Sequence, residues 1–338
     1  MVSVRPVAPA RFEQLYPLLH WHDPALDKSA WQRIFDYAWT HDNAHCGYGL
    51  FEGDEAVGFI GFLFCDRPLP NAAKPAKFCN LTTWVVKPPF RGHSLSLMMP
   101  VMRMKDCTVT DLSASDRVVE VSKRLGFKVL DTAVKILLPE GLPVRAPDST
   151  VKTPALQTPA VKIFTGEEIA RLPLPPVEQT IFNDHRQYPN CHQLVLQPQT
   201  QSNNPSQNSY CHIVYTLNRE IELSYSHIQY ISHLALFEQH QMAIRQHIIR
   251  QSQLPLIAID SRLVTALKLP FSYRLPLSTP RIYRPAEDPR QPTLAQIDNL
   301  YSELVLLEFG TADALALGWR EKALSICSPA LEKLARCG

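Results

Sequence analysis

The chain has 338 residues, of which 45% are hydrophobic and 20% are charged, a balance typical of globular proteins with buried cores. At roughly 100–200 residues per domain, this length predicts two domains. The formal net charge is only +2, from 34 basic and 32 acidic residues, and the sequence contains no Lys/Arg stripe. A nucleic-acid partner is therefore not expected.

The sequence also predicts neither a membrane span nor secretion. The best apolar run, residues 56–65, is only ten residues long, and the N-terminal residues lack the basic and long apolar regions of a signal peptide. Eight cysteines are scattered without a C-x-x-C pair, which favours a reducing cytoplasm. Cys191-His192 and Cys211-His212 form a duplicated pair, but neighbours in a strand point to opposite faces, so coincidence is favoured over a zinc site and no metal is predicted.

Taken in chain order, the first third reads as alternating strands and helices. A strand over residues 2–7 precedes an amphipathic helix over 10–20 and a second helix over 30–39, for which Ser29 is the expected N-cap. Two apolar strands within residues 48–65 then flank a tight turn of the hairpin type.

Residues 80–127 carry the most informative pattern. An apolar strand (81–86) leads into the small-residue segment 91–96, and a second strand (108–112) leads into a helix that ends at residues 125–127. A small-residue loop between a strand and a helix start offers backbone N–H groups to an anion. The pattern therefore predicts a phosphate-binding loop at residues 91–96.

This stretch resembles the acyl-CoA-binding core of the GNAT acyltransferase superfamily. The pyrophosphate loop of that family reads R/Q-x-x-G-x-G/A; here Arg91 matches the first position, while Ser94 and Ser96 replace small residues of the family. Residues 122–127, S-K-R-L-G-F, match a family helix that ends in Y-x-K-L-G-F, with Ser122 in place of the tyrosine. The order of elements over residues 2–138 is also that of the family.

The second half echoes the first after a segment rich in proline. Residues 139–160 contain prolines 139, 143, 147, 154 and 159, which favour an extended linker. Strands and helices recur over residues 161–310, including a helix over 233–251, strands over 271–277 and 281–283, and a helix over 293–309. We therefore predict a GNAT domain (1–138), a linker (139–160), a degenerate GNAT-like domain (161–310) and a helical tail (311–338). The predicted fold is α/β (α+β), a mixed and mostly antiparallel sheet flanked by helices, present twice.

The resemblance implies acetyl-CoA or another acyl-CoA as donor, and it assigns residues to its binding. Backbone of the first central strand would receive the pantetheine arm, and the loop would receive the pyrophosphate. The implied acyl-CoA-binding residues are Val85, Val86, Lys87, Arg91, Gly92, His93, Ser94, Leu95 and Ser96.

Three residues are candidates for proton transfer. Asp111, on the second central strand, is a candidate base, and Thr82 lies on the neighbouring strand; the alternative for Asp111 is a capping or solvated carboxylate. Ser122 occupies the position of the family's tyrosine acid, with a plain structural helix position as the alternative. The histidines His20, His22, His41 and His45 fall where the family builds its acceptor pocket.

The resulting functional prediction is an acyl-CoA-dependent N-acyltransferase that acts on the amine of a small molecule or amino sugar in a ternary complex. Two alternatives remain open. The donor could be an acyl carrier protein, docked on Lys87, Arg91, Arg103 and Lys105, or the fold could serve as a binding or assembly module without catalysis.

Overall fold

The computed structural model describes residues 1–39, 41–68, 74–139, 161–199, 210–218, 224–288 and 292–307. Nearly all of the predicted linker and the whole predicted C-terminal tail lie outside these residues. The chain forms two compact units. Described residues of the first unit lie within Met1–Asp131 and Thr279–Phe309, and those of the second lie within Thr132–Ser278.

The elements of the first half follow the predicted order. They are β1 (Val2–Pro6), α1 (Phe12–His22), α2 (Lys28–Arg33), β2 (Gly47–Glu52), β3 (Glu55–Arg67), β4 (Ala76–Val86), a 3-10 helix (Pro88–Leu97), α3 (Met98–Arg103), β5 (Cys107–Asp111), α4 (Asp116–Arg124) and β6 (Lys128–Leu137).

The later elements repeat this order. They are β7 (Val161–Thr165), α5 (Glu167–Ala170), α6 (Pro176–His185), β8 (Cys191–Pro198), β9 (Cys211–Asn218), β10 (Tyr225–Ile231), α7 (Leu234–Ser252), β11 (Ile257–Asp260), β12 (Ser272–Arg284) and α8 (Glu303–Leu306), with short 3-10 turns at Ser261–Val264 and Leu294–Gln296.

Each unit contains a mixed, mostly antiparallel sheet, which confirms the predicted fold class. In the first unit the strand order is β1-β2-β3-β4-β5-β12, and in the second it is β6-β11-β10-β9-β8-β7. Each described sheet has one parallel pair, β4 with β5 and β10 with β11. Strand–helix–helix–three strands–helix–strand therefore occurs twice; the sequence predicted the repeat from the hairpin onward, but not the second helix before it.

The core of the first unit lies on both faces of its sheet. Alternate residues of β4 point to opposite faces. Cys79 and Leu81 therefore pack with Met98 of α3 on one side, whereas Phe78 packs with Leu304 of α8 on the other. Burial of these apolar side chains stabilises the unit by about 1.5–3 kcal/mol for each large residue.

The compact units divide the chain differently from the predicted domain bounds, which themselves stay a prediction. The first unit takes its last strand from β12, whose Ile282 pairs with Asp111 of β5. The second unit takes the corresponding strand from β6, whose Leu137 pairs with Ile257 of β11. Residues Thr279–Phe309, predicted to end the second domain, therefore belong to the first unit.

Three helix predictions need correction. The helix predicted over 30–39 is shorter, and its N-cap is Asp27, which accepts hydrogen bonds from Ala30 N and Ser29 Oγ. The helix predicted over 293–309 forms only a 3-10 turn and the four-residue α8 within the described residues. The helix α6 was not predicted, although Pro176 at the first helical position favours a helix start.

Candidate functional site

The two central strands of the first unit diverge. β4 and β5 pair in parallel from Lys77 with Cys107 to Asn80 with Thr110; β5 then ends at Asp111, while β4 continues to Val86. The last six residues of β4 therefore have no partner in β5. This stretch of β4 belongs to the strand that the family resemblance assigns to the pantetheine arm.

A β-bulge in β4 accompanies the divergence. Thr82 pairs with Gly61 and Val85 with Phe59, so that Thr83 and Trp84 both lie opposite Ile60 of β3. Thr83 has a φ of 53°, which is unusual for a β-branched residue. Bulges change the direction of a strand and are frequent beside active sites.

Buried polar side chains meet where the strands separate. Asn80 Oδ1 accepts a hydrogen bond from Thr110 Oγ1 (3.0 Å), and Asn80 Nδ2 donates to the carboxylate of Glu303 in α8. The other carboxylate oxygen of Glu303 accepts from Ser113 Oγ at 2.6 Å. Glu303 is fully buried, and these two donors satisfy its charge.

Asp111 lies beside this cluster, at the end of β5. Its carboxyl group accepts hydrogen bonds from the backbone N–H groups of Ser113 and Ala114. Burial, together with the nearby negative charge of Glu303, raises the pKa of Asp111 to about 8. Burial also raises the pKa of Glu303, but Ser113 and Asn80 oppose that shift by bonding to its ionised form.

The predicted phosphate-binding loop is a 3-10 helix, Pro88–Leu97. In such a helix each N–H bonds to the carbonyl three residues earlier, so the inner N–H groups do not point toward a ligand. Arg91, Gly92, His93 and Leu95 are exposed, and Ser96 Oγ donates to His93 O at 2.5 Å. Lys87 pairs with Glu55 at 2.5 Å, and its N–H is bonded to Val57 O. Val85 is buried, and Ser94 is half-buried.

Pro100 lies at a position where a helix tolerates proline. α3 begins only at Met98, so Pro100 lies in its first turn. The N–H groups of a first helical turn have no intrahelical partner, and a proline there removes no hydrogen bond.

The L-G-F ending of α4 is explained by helix termination. Phe127 N donates to Ser122 O at 3.0 Å, and Gly126 N donates to Lys123 O at 3.1 Å. Gly126 has a φ of 88°, as expected for the residue that follows a helix in this Schellman-type arrangement. Ser122 is fully buried, and its hydroxyl has no hydrogen-bond partner among the described residues.

The structure thus brings Asp111 together with residues that the sequence analysis did not select. Asn80, Ser113 and Glu303 were missed, and Glu303 had a weak signal as an acidic residue inside an otherwise apolar run. Thr82 lies on the neighbouring strand, where its hydroxyl is 3.1 Å from that of Thr83. The structure records no hydrogen bond between Thr82, Asp111 and Ser122 within the described residues.

The histidines near the expected acceptor pocket mainly contact aromatic rings. His20 stacks on Tyr16, and His45 packs edge-on against Phe64. Burial lowers the pKa of His22, His41 and His45, so these imidazoles are neutral at physiological pH.

The second unit places an aspartate at the corresponding point. Its parallel strands β10 and β11 stay paired to Ile228 and Ile259, after which Asp260 ends β11 as Asp111 ends β5. Asp260, however, is ion-paired with Arg262 and lies 3.1 Å from His227 Nε2. Arg262 therefore neutralises this aspartate, whereas Asp111 lies near a second carboxylate.

The second unit also has no counterpart of the loop region. β10 contains a bulge between Ile228 and Tyr230, as β4 does, but only Ser232 and His233 separate it from α7. His233 accepts a hydrogen bond from Leu236 N and caps the helix. The degenerate character predicted for the second half is therefore visible in this connection.

The second unit contains a buried network and a separate cavity. His212 Nδ1 is 2.8 Å from Glu178 Oε2, its Nε2 is 2.9 Å from Gln193 Oε1, and Tyr230 donates to Glu178 at 2.7 Å. Gln193 borders a cavity of about 300 Å³ that His192 also lines.

The Cys-His pairs lie at opposite ends of the β8–β9 ladder, since Cys191 pairs with Thr216 and Cys211 with Leu196. No group of three metal-ligating side chains occurs among the described residues.

Comparison with known proteins agrees with this geometry. Residues 12–98 match the model of the Acetyltransferase (GNAT) family. The chain contains a GNAT domain. A search of curated proteins finds no significant match.

Solved structures with a similar fold extend the likeness beyond that segment. A GCN5-related N-acetyltransferase from Anabaena variabilis shares 10% identity with a TM-score of 0.53, covering 85% of this chain and 73% of the other. A probable N-acyltransferase from Enterococcus faecalis gives 10% identity and a TM-score of 0.52 over 85% and 73%. A GCN5-related N-acetyltransferase from Kribbella flavida shares 11% identity with a TM-score of 0.50, covering 84% of this chain and 70% of the other. At identities this low, the structural similarity shows a shared fold and nothing further.

Proposed function

We propose that the protein is an acyl-CoA-dependent N-acyltransferase, which transfers an acetyl group from acetyl-CoA to the amine of a small molecule or saccharide. The observation that carries this proposal is the end of β4–β5 pairing part-way along β4, with the buried carboxyl group of Asp111, whose pKa is raised to about 8, at the end of β5. A base with such a pKa suits proton removal from an amine at physiological pH.

The part of β4 that has no partner in β5 is the proposed contact for the pantetheine arm, through the backbone of Val85 and Val86. The backbone N–H and carbonyl of Lys87 are bonded to Val57 and Phe90, so Lys87 would flank this contact. The family's backbone cradle is not formed in the 3-10 helix, so side chains are the better candidates for the phosphates. Arg91 is exposed and offers charge, and Ser94 and Ser96 offer hydroxyl groups. Gly92, His93 and Leu95 would flank these contacts.

Catalysis would rest on proximity and on a single proton acceptor. The acceptor ammonium loses a proton to the Asp111 carboxylate, and the free amine attacks the thioester carbonyl. The C–N bond forms, the C–S bond breaks, and the second amine proton reaches the departing thiolate. Holding the two reactants in line supplies much of the acceleration. Ser122 is a buried residue of α4, and we propose only a structural role for it in that helix. Thr82 is proposed only as a polar neighbour of the thioester.

Calorimetric titration tests the donor. We expect acetyl-CoA and CoA to bind and acyl carrier protein not to bind. Acetyl-CoA hydrolysis or transfer to a panel of amines, followed by mass spectrometry, then tests the reaction. Binding of the carrier protein alone would replace the proposed donor.

A paired substitution tests the location of the acyl-CoA site. Arg91→Ala with Ser94→Trp removes a cation and adds bulk beside the unpaired end of β4. Acetyl-CoA affinity should fall at least tenfold, which corresponds to about 1.4 kcal/mol. Arg117→Ala, an exposed arginine of α4, is the matched control. Unchanged affinity in the paired variant would place acyl-CoA elsewhere.

The 3-10 helix favours a second candidate, a GNAT-fold binding module without catalysis, because its N–H groups are used internally. A wild-type chain that binds neither acetyl-CoA nor CoA would support this candidate. Docking of a carrier protein has weaker support, since Lys87 and Lys105 of the predicted basic patch are engaged by Glu55 and Glu287.

A reducing compartment is the proposed location. The six cysteines in the described residues are free and buried, as expected where disulfides do not form. Within the described residues, no helix combines the length and apolar character needed to cross a membrane. Fractionation of cells that produce the native protein would test a cytoplasmic location.

A further inference from the structure

An aspartate ends the equivalent strand of each unit, but the charged groups near the two aspartates have opposite signs. Asp260 of the second unit faces Arg262 and His227, which stabilise its negative charge. Asp111 of the first unit faces Glu303, which opposes ionisation of a second carboxylate nearby. A carboxylate neutralised by cations is a weak base, whereas one beside a like charge is a stronger base.

Ser113 connects the two carboxyl groups of the first unit. Its backbone N–H bonds to Asp111, and its hydroxyl donates to Glu303 at 2.6 Å. Asn80 holds the second oxygen of Glu303 and ties it to the last parallel pair of β4 and β5. Glu303 is thus fixed at the strand divergence by both strands and by the residue that binds Asp111.

One cation also acts on this pair. Arg281 of β12 is buried, donates to Leu112 O at 2.7 Å, and favours the ionised form of Glu303. It thereby opposes the burial that raises the pKa of Glu303. Among the described residues, the charge that acts on Asp111 is therefore that of Glu303 in α8, and Arg281 of β12 acts on Glu303.

We propose that Glu303 is a positioning residue that tunes Asp111 as the proton acceptor for the acceptor amine, so that the first unit carries the acyl-transfer site and the second does not. This inference rests on the proposed function. The proton that Asp111 takes from the ammonium leaves for solvent after the transfer.

The test is the pH profile of kcat/KM, measured between pH 6 and 9.5. The wild-type profile should rise through the Asp111 ionisation near pH 8. Glu303→Gln should move this rise to lower pH by about one unit, because the neighbouring charge is gone. Ser113→Ala should shift it in the same direction, since Glu303 then loses a donor and takes up the proton more readily. Glu120→Gln, an exposed glutamate of α4, is the matched control and should leave the profile unchanged.

A second readout does not require turnover. The folded-state pKa of Asp111 lies above its unfolded value, so the contribution of Asp111 to the free energy of unfolding should fall as pH rises from 5 to 8. Asp111→Asn should remove that fall, and Glu303→Gln should reduce it. A wild-type fall that persists unchanged in Glu303→Gln would overturn the inference, as would an unshifted kinetic profile.

The two failures can be distinguished. If acetyl-CoA neither binds nor reacts, the proposed function fails and the assignment of Asp111 as a proton acceptor fails with it, whatever the stability data show. If acetyl-CoA reacts but Glu303→Gln leaves both readouts unchanged, the proposed function stands and only the role of Glu303 is overturned.

Discussion

Gly126 shows how one backbone angle accounts for part of the family motif. Its φ of 88° lies in the left-handed region, and it follows the last turn of α4. A Cβ built at this position meets no heavy atom within 4 Å, so space alone would admit a side chain. The glycine is needed for its conformation, and the L-G-F letters therefore report a helix end rather than a catalytic contact.

Gly126→Ala should lower the free energy of unfolding by about 1–2 kcal/mol, the cost of a left-handed residue with a Cβ. The matched control is Gly92→Ala, since Gly92 also has open space around it but no left-handed φ. Urea unfolding at pH 7 measures both. Equal effects of the two substitutions would contradict the conformational explanation.

His240 provides a pH-dependent prediction at the same scale. It is fully buried at a non-helical position within α7, and burial lowers its pKa. Its folded-state pKa lies below the unfolded value, so its stabilising contribution is present above about pH 6.5 and is lost as pH falls.

His240→Leu should therefore weaken the loss of stability between pH 7.5 and pH 5.5. The contributions of the other histidines with lowered pKa values to the free energy of unfolding cancel when wild type and variant are compared at each pH. Urea titrations at the two pH values provide the measurement, and identical pH dependence of both proteins would contradict the prediction.

Only part of the candidate site was accessible from the sequence. Asp111 could be selected because it follows an apolar strand of a recognisable pattern. Glu303 could not, because its partners Asn80 and Ser113 lie far from it in the chain and only the tertiary fold brings them together. A burial-driven shift of pKa likewise depends on packing that local patterns do not encode.

At the scale of elements, the strands were predicted well because alternation of apolar residues is a local signal. Short segments with mixed signals were predicted poorly. The segment 91–96 has small residues that suggest a loop, yet it folds within the 3-10 helix. The segment 293–309 has helical apolar spacing, but its burial against Cys65 and Phe78 favours an irregular path over a continuous helix.

The network of Glu178, His212 and Tyr230 gives a prediction for the packing of α6 on its sheet. Glu178→Ala removes the acceptor of two side chains, one of them fully buried. Leaving such groups without a partner should cost about 3 kcal/mol. Glu167→Ala, an exposed residue of α5, is the control. Urea unfolding compares them, and a loss as small as that of the control would mean that the network contributes little to stability.

At the scale of the whole molecule, the compact units are not contiguous stretches of the chain, because the last strand of the first unit comes from late in the sequence. β12 completes the first sheet from a position late in the chain, and the residues around Ile297 and Leu304 complete its core. Sequence patterns located these segments but could not assign them to a unit, because pairing between distant strands leaves no local signal.

A chain limited to residues 1–138, the predicted first domain, should therefore fail to fold cooperatively. It lacks the strand that pairs with β5 and the apolar residues that cover Phe78. A chain of residues 1–309 contains these segments and serves as the control. Near-UV circular dichroism and thermal unfolding distinguish the two, and a cooperative transition in the shorter chain would show that the late segment is dispensable.

The late position of β12 also has a consequence for synthesis on the ribosome. A chain emerges from its N-terminus, so β5 is exposed with an unpaired edge until the ribosome has added residues beyond Arg284. Such an edge is a template for pairing with other chains. We expect the nascent first unit to depend on chaperones for longer than its own length implies, and slow translation of the second half to increase aggregation.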